Sequence, residues 1–117
     1  MNLEDFRYKM ESYRRDADVE AKSFKDPWIA LDRLRNLYAS FDEDELRMAD
    51  QTIRAWLLSD DENLRFDAIA LIRDFNIATA LPDLHTLATR LALSTTAGAP
   101  SELRKVNRLI EELKERP

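Results

Sequence analysis

Apolar residues recur along this chain at a separation of 38 residues, and the matched positions are spaced like one face of a helix. The matched sets are Trp28 and Phe66; Ala30, Ala68 and Val106; Leu34, Ile72 and Ile110; Leu37, Phe75 and Leu113; Leu46 and Leu84; and Ile53 and Leu91. A fixed period of this length is typical of repeated helical hairpins, which bury their apolar faces against their neighbours. The pattern therefore predicts a stack of hairpins.

The helix boundaries follow from capping and helix-breaking residues between the apolar stretches. Helices are predicted over residues 3–22, 27–40, 43–58, 62–75, 80–93 and 101–116. Asn2, Asp42 and Ser101 stand where N-caps are expected, and Glu45 completes a capping box with Asp42. Pro27 falls at the first position of the second helix, where its missing N–H is harmless.

Each predicted helix carries one apolar stripe that is expected to face the core. The stripe residues, in chain order, are Leu3, Phe6, Met10, Tyr13, Ala17; Leu31, Leu34, Leu37, Tyr38, Phe41; Leu46, Ala49, Ile53, Trp56, Leu57; Leu64, Ala68, Leu71, Ile72, Phe75; Leu81, Leu84, Leu87, Ala88, Leu91; and Leu103, Val106, Leu109, Ile110, Leu113. Phe66 and Ile69 widen the fourth stripe, as expected for a helix packed between two neighbours.

The six helices pair in chain order into three hairpins, at about 1–41, 42–76 and 77–117, within a single domain of residues 1–117. The first helix aligns with the third only when two residues are inserted. It is therefore expected to be a degenerate N-terminal cap, and the mixed-charge outer face of the sixth helix is expected to close the other end of the stack.

The composition supports an all-α fold and narrows the classes of function. A strand-rich domain needs tight turns with positive φ, which usually require Gly, and this chain has one Gly among 117 residues. The absence of Cys excludes disulfides and thiolate metal sites and permits a reducing compartment. Because no segment matches a secretory signal or a bilayer span, the protein is expected to be soluble and cytoplasmic, without a membrane partner.

Acidic residues are concentrated in the middle of the chain. The net charge is −5; residues 1–25 balance, residues 26–93 carry −6 and residues 94–117 carry +1. Duplex binding draws its affinity from Lys and Arg contacts to phosphates, so the acidic centre argues against a nucleic-acid partner. It favours a basic protein partner or simply solubility.

The stretch from 64 to 91 resembles a HEAT-type unit. It has Arg65 near the start of one helix, the apolar run 68–72, and the Ala-Leu-Pro-x-Leu sequence 80–84 opening the next helix. The resemblance is good over 62–93, moderate over 28–58 and weak at both ends, and residues 74–76 replace the Gly-Asp step of many HEAT units. It implies a short right-handed α-α superhelix of three hairpins, with the second, fourth and sixth helices on the concave face.

In its small size and its acidity, the chain also resembles bacterial toxin-immunity proteins. This resemblance implies a cytoplasmic inhibitor that plugs a toxin domain.

Catalytic chemistry has few candidate groups in this sequence. His85 is the only imidazole, and it is expected to be a boundary residue at the edge of an apolar face. No nucleophile motif or phosphate-binding glycine loop is present, and neither acidic run has the spacing of a calcium loop. We therefore expect no enzyme activity, no cofactor and no metal.

Two acidic runs and several residues of the concave helices are the candidate partner-binding residues. They are Asp42, Glu43 and Glu45; Asp60, Asp61 and Glu62; Asp32, Asp67 and Asp74; and Trp28. The favoured interpretation of both runs is helix capping, and the alternative is contact with Lys and Arg of a partner. Core packing is the favoured interpretation of Trp28, whereas an exposed Trp28 would be a binding anchor.

These observations predict a protein–protein interaction module, most specifically an immunity-type inhibitor of a basic partner such as a nuclease toxin. Two alternatives remain open: a structural or adaptor subunit of a larger assembly, and a HEAT-like protein that binds nucleic acid. The predicted oligomeric state is a monomer or a weak dimer.

Overall fold

The computed structural model describes residues 2–26 and 28–115, and all regular secondary structure in this part of the chain is helical. The helices are α1 Leu3–Phe24, α2 Trp28–Ala39, α3 Glu43–Leu57, α4 Glu62–Phe75, α5 Leu81–Leu93 and α6 Ala99–Glu115, with a short 3₁₀ turn, Ala78–Ala80, before α5. The predicted all-α class and the six helices are confirmed. The predicted role of Pro27 lies outside the described residues.

The chain divides into two compact units, Met1–Thr52 and Ile53–Pro117, and the division falls inside α3. The first unit contains α1, α2 and most of α3. The second unit contains the end of α3 and the helices α4, α5 and α6. The right-handed superhelix of three hairpins in one domain stays a prediction.

In the first unit, α1 and α2 form an antiparallel hairpin. The ring of Phe6, near the start of α1, lies 5.1 Å from the ring of Phe41, which follows α2. At the opposite end, Arg33 of α2 donates to Glu20 of α1 at 2.7 Å. The buried apolar residues of this unit are Phe6, Met10, Ala17, Ala21, Leu31, Leu34, Tyr38 and Ala49.

Two predicted core residues of α1 are exposed. Leu3 is 39% exposed because it lies one turn before Phe6, beyond the contact with the end of α2. Tyr13, at 36%, lies at the margin of the buried stripe. The other three stripe residues of α1 are buried as predicted.

Tyr38 connects α2 to α3 through a polar contact at the edge of the core. Its hydroxyl donates to Asp50 at 2.6 Å, and its ring lies edge-on to that of Phe41. Burial raises the pKa of the Tyr38 phenol, and the hydrogen bond to the Asp50 carboxylate and the charge of that group raise it further. Tyr38 is therefore neutral in the folded protein over the whole ordinary pH range.

In the second unit, α6 packs against both α4 and α5. The last turn of α3 lies beside α5, because Arg54 bonds Asp83 and Arg90 donates to the carbonyl oxygen of Leu58 at 3.2 Å. The fully buried side chains here include Ile53, Trp56, Leu57, Leu71, Ile72, Leu84 and Val106.

The helix ends largely match the predicted caps. Asn2 accepts from the backbone N–H of Asp5 at 2.8 Å, as predicted. The predicted capping box is confirmed, since Asp42 accepts from the N–H of Glu45 at 2.8 Å and Glu45 accepts from the N–H of Asp42 at 3.1 Å. Asn76 ends α4 in the left-handed region, with φ 53°.

The prediction of Ser101 as the cap of the sixth helix is wrong. The helix begins at Ala99, and the N–H of Glu102 donates to the carbonyl oxygen of Gly98 at 3.1 Å. Pro100 is tolerated at the second helical position because the N–H groups of the first turn have no intrahelical partner.

Replacing Asp42 with Ala should lower the free energy of unfolding by about 1 kcal/mol, because the N–H of Glu45 loses its acceptor. Asp42→Ser should stay close to the wild type, since Ser caps as well as Asp. Urea denaturation followed by circular dichroism measures both variants. Equal losses in Asp42→Ala and Asp42→Ser would mean that the side chain does not act as a cap.

Replacing Tyr38 with Phe should lower the free energy of unfolding by about 1–2 kcal/mol at pH 7, because the bond to Asp50 is lost. The pKa of Tyr38 is raised in the folded state, so its stabilisation is complete below the unfolded value near 10 and declines at higher pH. The difference between wild type and variant should therefore narrow above pH 10, by up to about 1.4 kcal/mol per pH unit. Urea titrations at pH 7 and at two pH values above 10 test this, and a constant difference would contradict it.

Candidate partner-binding site

The first acidic run is used mainly to begin α3. Asp42 and Glu45 form the capping box, and Asp44 pairs with Arg47. Glu43 is exposed in the first turn, where its charge interacts favourably with the helix dipole. Of the three candidates in this run, two therefore have an intramolecular role, and the third, Glu43, is exposed.

The second acidic run surrounds a basic residue of its own unit. Asp61 caps α4 by accepting from the N–H of Asn63 at 2.9 Å. Arg65, one turn further on, has a raised pKa, first because it is hydrogen-bonded to Glu102 and also because the charges of Asp60 and Glu62 are near. Arg65 therefore neutralises part of this acidic cluster.

The pair Arg65–Glu102 joins the first turns of α4 and α6. The guanidinium donates to both carboxylate oxygens of Glu102, at 2.7 and 3.0 Å, and to the carbonyl oxygen of Ser59 at 3.0 Å. Both side chains are mostly buried, with exposures of 16% and 14%. Each is the fourth residue of its helix, so the two helices begin side by side, about one sequence period apart.

The three acidic candidates from the predicted concave helices have different environments. Asp32 is exposed and accepts from Arg35 at 2.9 Å. Asp74 is exposed near the end of α4. Asp67 is 8% exposed, so its assignment to a partner-binding surface is wrong. It lies one turn before Leu71, on the side of α4 that the core covers.

Trp28 is 60% exposed, so the favoured interpretation of this residue as part of the core is wrong. Its backbone N–H donates to the side chain of Asp26 at 3.0 Å, which fixes the start of α2 while the indole projects from it. Phe66, one period along the chain, is 49% exposed, so the prediction that it widens the buried stripe of α4 is wrong. His85 is also exposed.

Tyr8 and Val19 on α1 were not among the candidates, yet they are 67% and 68% exposed. Their separation of 11 residues is three helical turns, which places both on one line of the helix surface. That spacing is visible in the sequence, but an apolar residue outside the stripe attracts attention only when its exposure is known.

No group of three or more His, Cys, Asp or Glu side chains within residues 2–26 and 28–115 is arranged to hold a metal ion. None of the described helices combines the length and the apolar character needed to cross a bilayer.

Comparisons of the chain with protein-family models, with curated proteins and with solved structures found no match.

Replacing Glu102 with Ala should lower the free energy of unfolding by about 2–3 kcal/mol, because Arg65 keeps its charge in a mostly buried site without its partner. Asp32→Ala, which removes an exposed pair, should change it by less than about 1 kcal/mol. The double change Arg65→Met with Glu102→Leu should recover most of the loss. Chemical denaturation of the four proteins tests the pair, and similar losses in Glu102→Ala and Asp32→Ala would contradict it.

Proposed function

We propose that this protein is a protein–protein interaction module that binds and blocks a basic partner, as an immunity-type inhibitor of a domain such as a nuclease toxin. The exposure of Trp28 is the observation that carries the proposal. Large aromatic side chains are favoured binding anchors, because they bury much area at a low cost in conformational entropy.

The surroundings of Trp28 suit a cationic side chain. Asp32 lies one helical turn from Trp28 on the same face of α2, and its carboxylate side chain is 62% exposed. A partner's Arg could stack on the indole and bond Asp32, which combines a cation–π contact with a charge-assisted hydrogen bond. Arg35 would then have to share Asp32, and exposed ion pairs of this kind exchange at little cost.

The exposed carboxylates of the two acidic runs contribute in a different way. Glu43, Asp60 and Glu62 lie on the surface near helix starts, and the chain carries a net charge of −5. Charges at the rim of an interface mainly accelerate association and select the sign of the partner. We therefore assign them to steering of a basic partner, while Trp28 and Asp32 supply most of the affinity.

The proposal includes a HEAT-like right-handed superhelix and a cytoplasmic location. The side-by-side starts of α4 and α6, about one period apart, support a repeated arrangement within residues 53–117. The absence of Cys is compatible with a reducing compartment.

The test purifies the product of the neighbouring gene, asks whether it is basic and is retained by this chain, and measures binding by isothermal titration. Trp28→Ala should weaken binding about 30-fold, as for a central aromatic anchor. Leu93→Ala is the matched control, because Leu93 is 80% exposed but lies on α5, far along the sequence from Trp28. Asp32→Asn should weaken binding severalfold and reduce its dependence on salt.

A fluorescence measurement tests the site directly. The chain has two Trp residues, and Trp56 is 1% exposed, so the variant Trp56→Phe leaves Trp28 as the only indole reporter. Binding should shift its emission to shorter wavelength as the indole is covered. Unchanged emission on saturation, or equal affinity of Trp28→Ala and wild type, would reject Trp28 as the anchor. Failure of the neighbouring protein to bind at all would reject the inhibitor function.

A further inference from the structure

The outward face of α1 carries two apolar side chains that the chain itself does not cover. Tyr8 and Val19 lie about 16 Å apart along the helix axis and within about 20° of each other around it. They lie directly opposite the buried stripe that contains Met10 and Ala17. Isolated apolar residues are common on surfaces, so the charges beside these two decide whether the face has a role.

Charged residues on one flank of this face change sign in a defined order. The four nearest the line from Tyr8 to Val19 are Glu4, Glu11, Arg15 and Lys22, and Asp18, which pairs with Lys22, lies at the outer edge of the same flank. Reading from the N-terminus, the signs of the four are negative, negative, positive and positive. When a second copy of the helix lies antiparallel to the first, each negative charge of this row therefore faces a positive charge of the other.

We consider two copies of α1 packed antiparallel, related by a two-fold axis that passes between residues 13 and 14. In this arrangement a residue of one copy lies opposite a defined residue of the other. Tyr8 then lies opposite Val19 of a second copy, at matched height along the axis. Glu4 comes within one residue of Lys22 of the second copy, and Arg15 within one residue of Glu11. All of these contacts occur twice, as in any two-fold interface.

The other flank adds no repulsion. There, Asp5 and Asp16 lie opposite Ser23 and Ser12 of the second copy, so each carboxylate faces a hydroxyl donor. A parallel pair would instead bring opposite flanks together, which places Glu4 near Asp5 of the second copy and Arg15 near Asp16. Each attractive contact would then be accompanied by a repulsive one, so the charge pattern favours the antiparallel pair over the parallel one.

We propose that α1 is a self-association surface and that its occupant is α1 of a second copy in antiparallel orientation. The existing side-chain contacts allow it. Lys22 is 80% exposed, and its ion pair with Asp18, at 3.7 Å, is a surface pair that contributes little. Glu11 accepts from Arg7 at 3.1 Å and, as a carboxylate, can accept from Arg15 of the second copy as well.

The proposed interface is small. It covers one face of a single 22-residue helix, below the size of about 1,200 Å² that marks stable complexes. The dimer should therefore dissociate on dilution within the range of ordinary protein concentrations, which makes its equilibrium measurable. This self-association does not depend on Trp28 or on the proposed inhibitor function.

Sedimentation velocity of the full chain over a concentration series tests the proposal. Lys22→Glu and Glu4→Lys should each raise the dissociation constant about tenfold or more, since two attractive contacts become repulsive in each dimer. An equimolar mixture of the two variants should restore dimer, because both contacts of the mixed dimer are again between opposite charges. Lys105→Glu is the control for Lys22→Glu, since it changes an exposed Lys on α6 by the same charge.

Loss of folding cannot produce recovery on mixing, so the mixture separates the proposal from a structural effect of either variant. Circular dichroism of each variant confirms that it is helical. A wild type that sediments as a monomer at all concentrations overturns the proposal. Dimers that persist in both single variants, or that do not reappear in the mixture, overturn it as well.

Disulfide trapping tests the orientation, because the chain has no native Cys. In the antiparallel pair, Ser12→Cys places the two sulfur-bearing residues about 5 Å apart along the axis, whereas Ser23→Cys places them about 28 Å apart. Oxidation should therefore cross-link Ser12→Cys and leave Ser23→Cys largely as a monomer. Efficient cross-linking of Ser23→Cys would indicate a parallel pair and reject the proposed geometry.

Discussion

Each helix of this protein is stabilised by covering one apolar stripe, and the rest of the structure depends on that constraint. Helices of 12–22 residues are marginal in water by themselves, so packing has to supply their stability. The repeated position that contains Leu34, Ile72 and Ile110 illustrates this, since these residues are 0%, 0% and 4% exposed. One period of the sequence returns the chain to an equivalent burial site, and the buried pair Arg65–Glu102 aligns the helices that carry two of these sites.

The sequence was sufficient to predict the helices, their approximate ends and most of the core, because spacing and caps are local properties. It was not sufficient to predict which apolar residues are covered. Trp28 and Phe66 match at the period, and both are exposed. A repeat preserves outward positions as faithfully as inward ones, so an apolar match alone does not indicate burial. Asp67 shows the converse, since its burial depends on neighbouring helices rather than on its own type.

The acidic character of the chain has a partly structural origin. Asp42, Glu45 and Asp61 satisfy backbone N–H groups at helix starts, where carboxylates also interact favourably with the helix dipole. Glu102 has a different role, because it holds Arg65 between two helices. The sequence showed where carboxylates cluster but could not show that Arg65 pairs with Glu102. Long-range ion pairs of this kind depend on tertiary structure, and they reduce the charge that remains for a partner.

Residues that folding does not use are the appropriate place to look for function in a chain of this kind. Exposed apolar area loses about 25 cal/mol per Å² of possible stabilisation, and Trp28, Tyr8 and Val19 are left more than half exposed by the described part of the chain. Leu93 is even more exposed, at 80%, but neither proposal uses it. What distinguishes the first three is their setting: Asp32 lies one turn from Trp28, and a self-complementary row of charges flanks Tyr8 and Val19. An apolar residue indicates a binding surface when the polar groups around it specify what would cover it, and this is the ground on which we propose one such surface on each of two helices in the first unit.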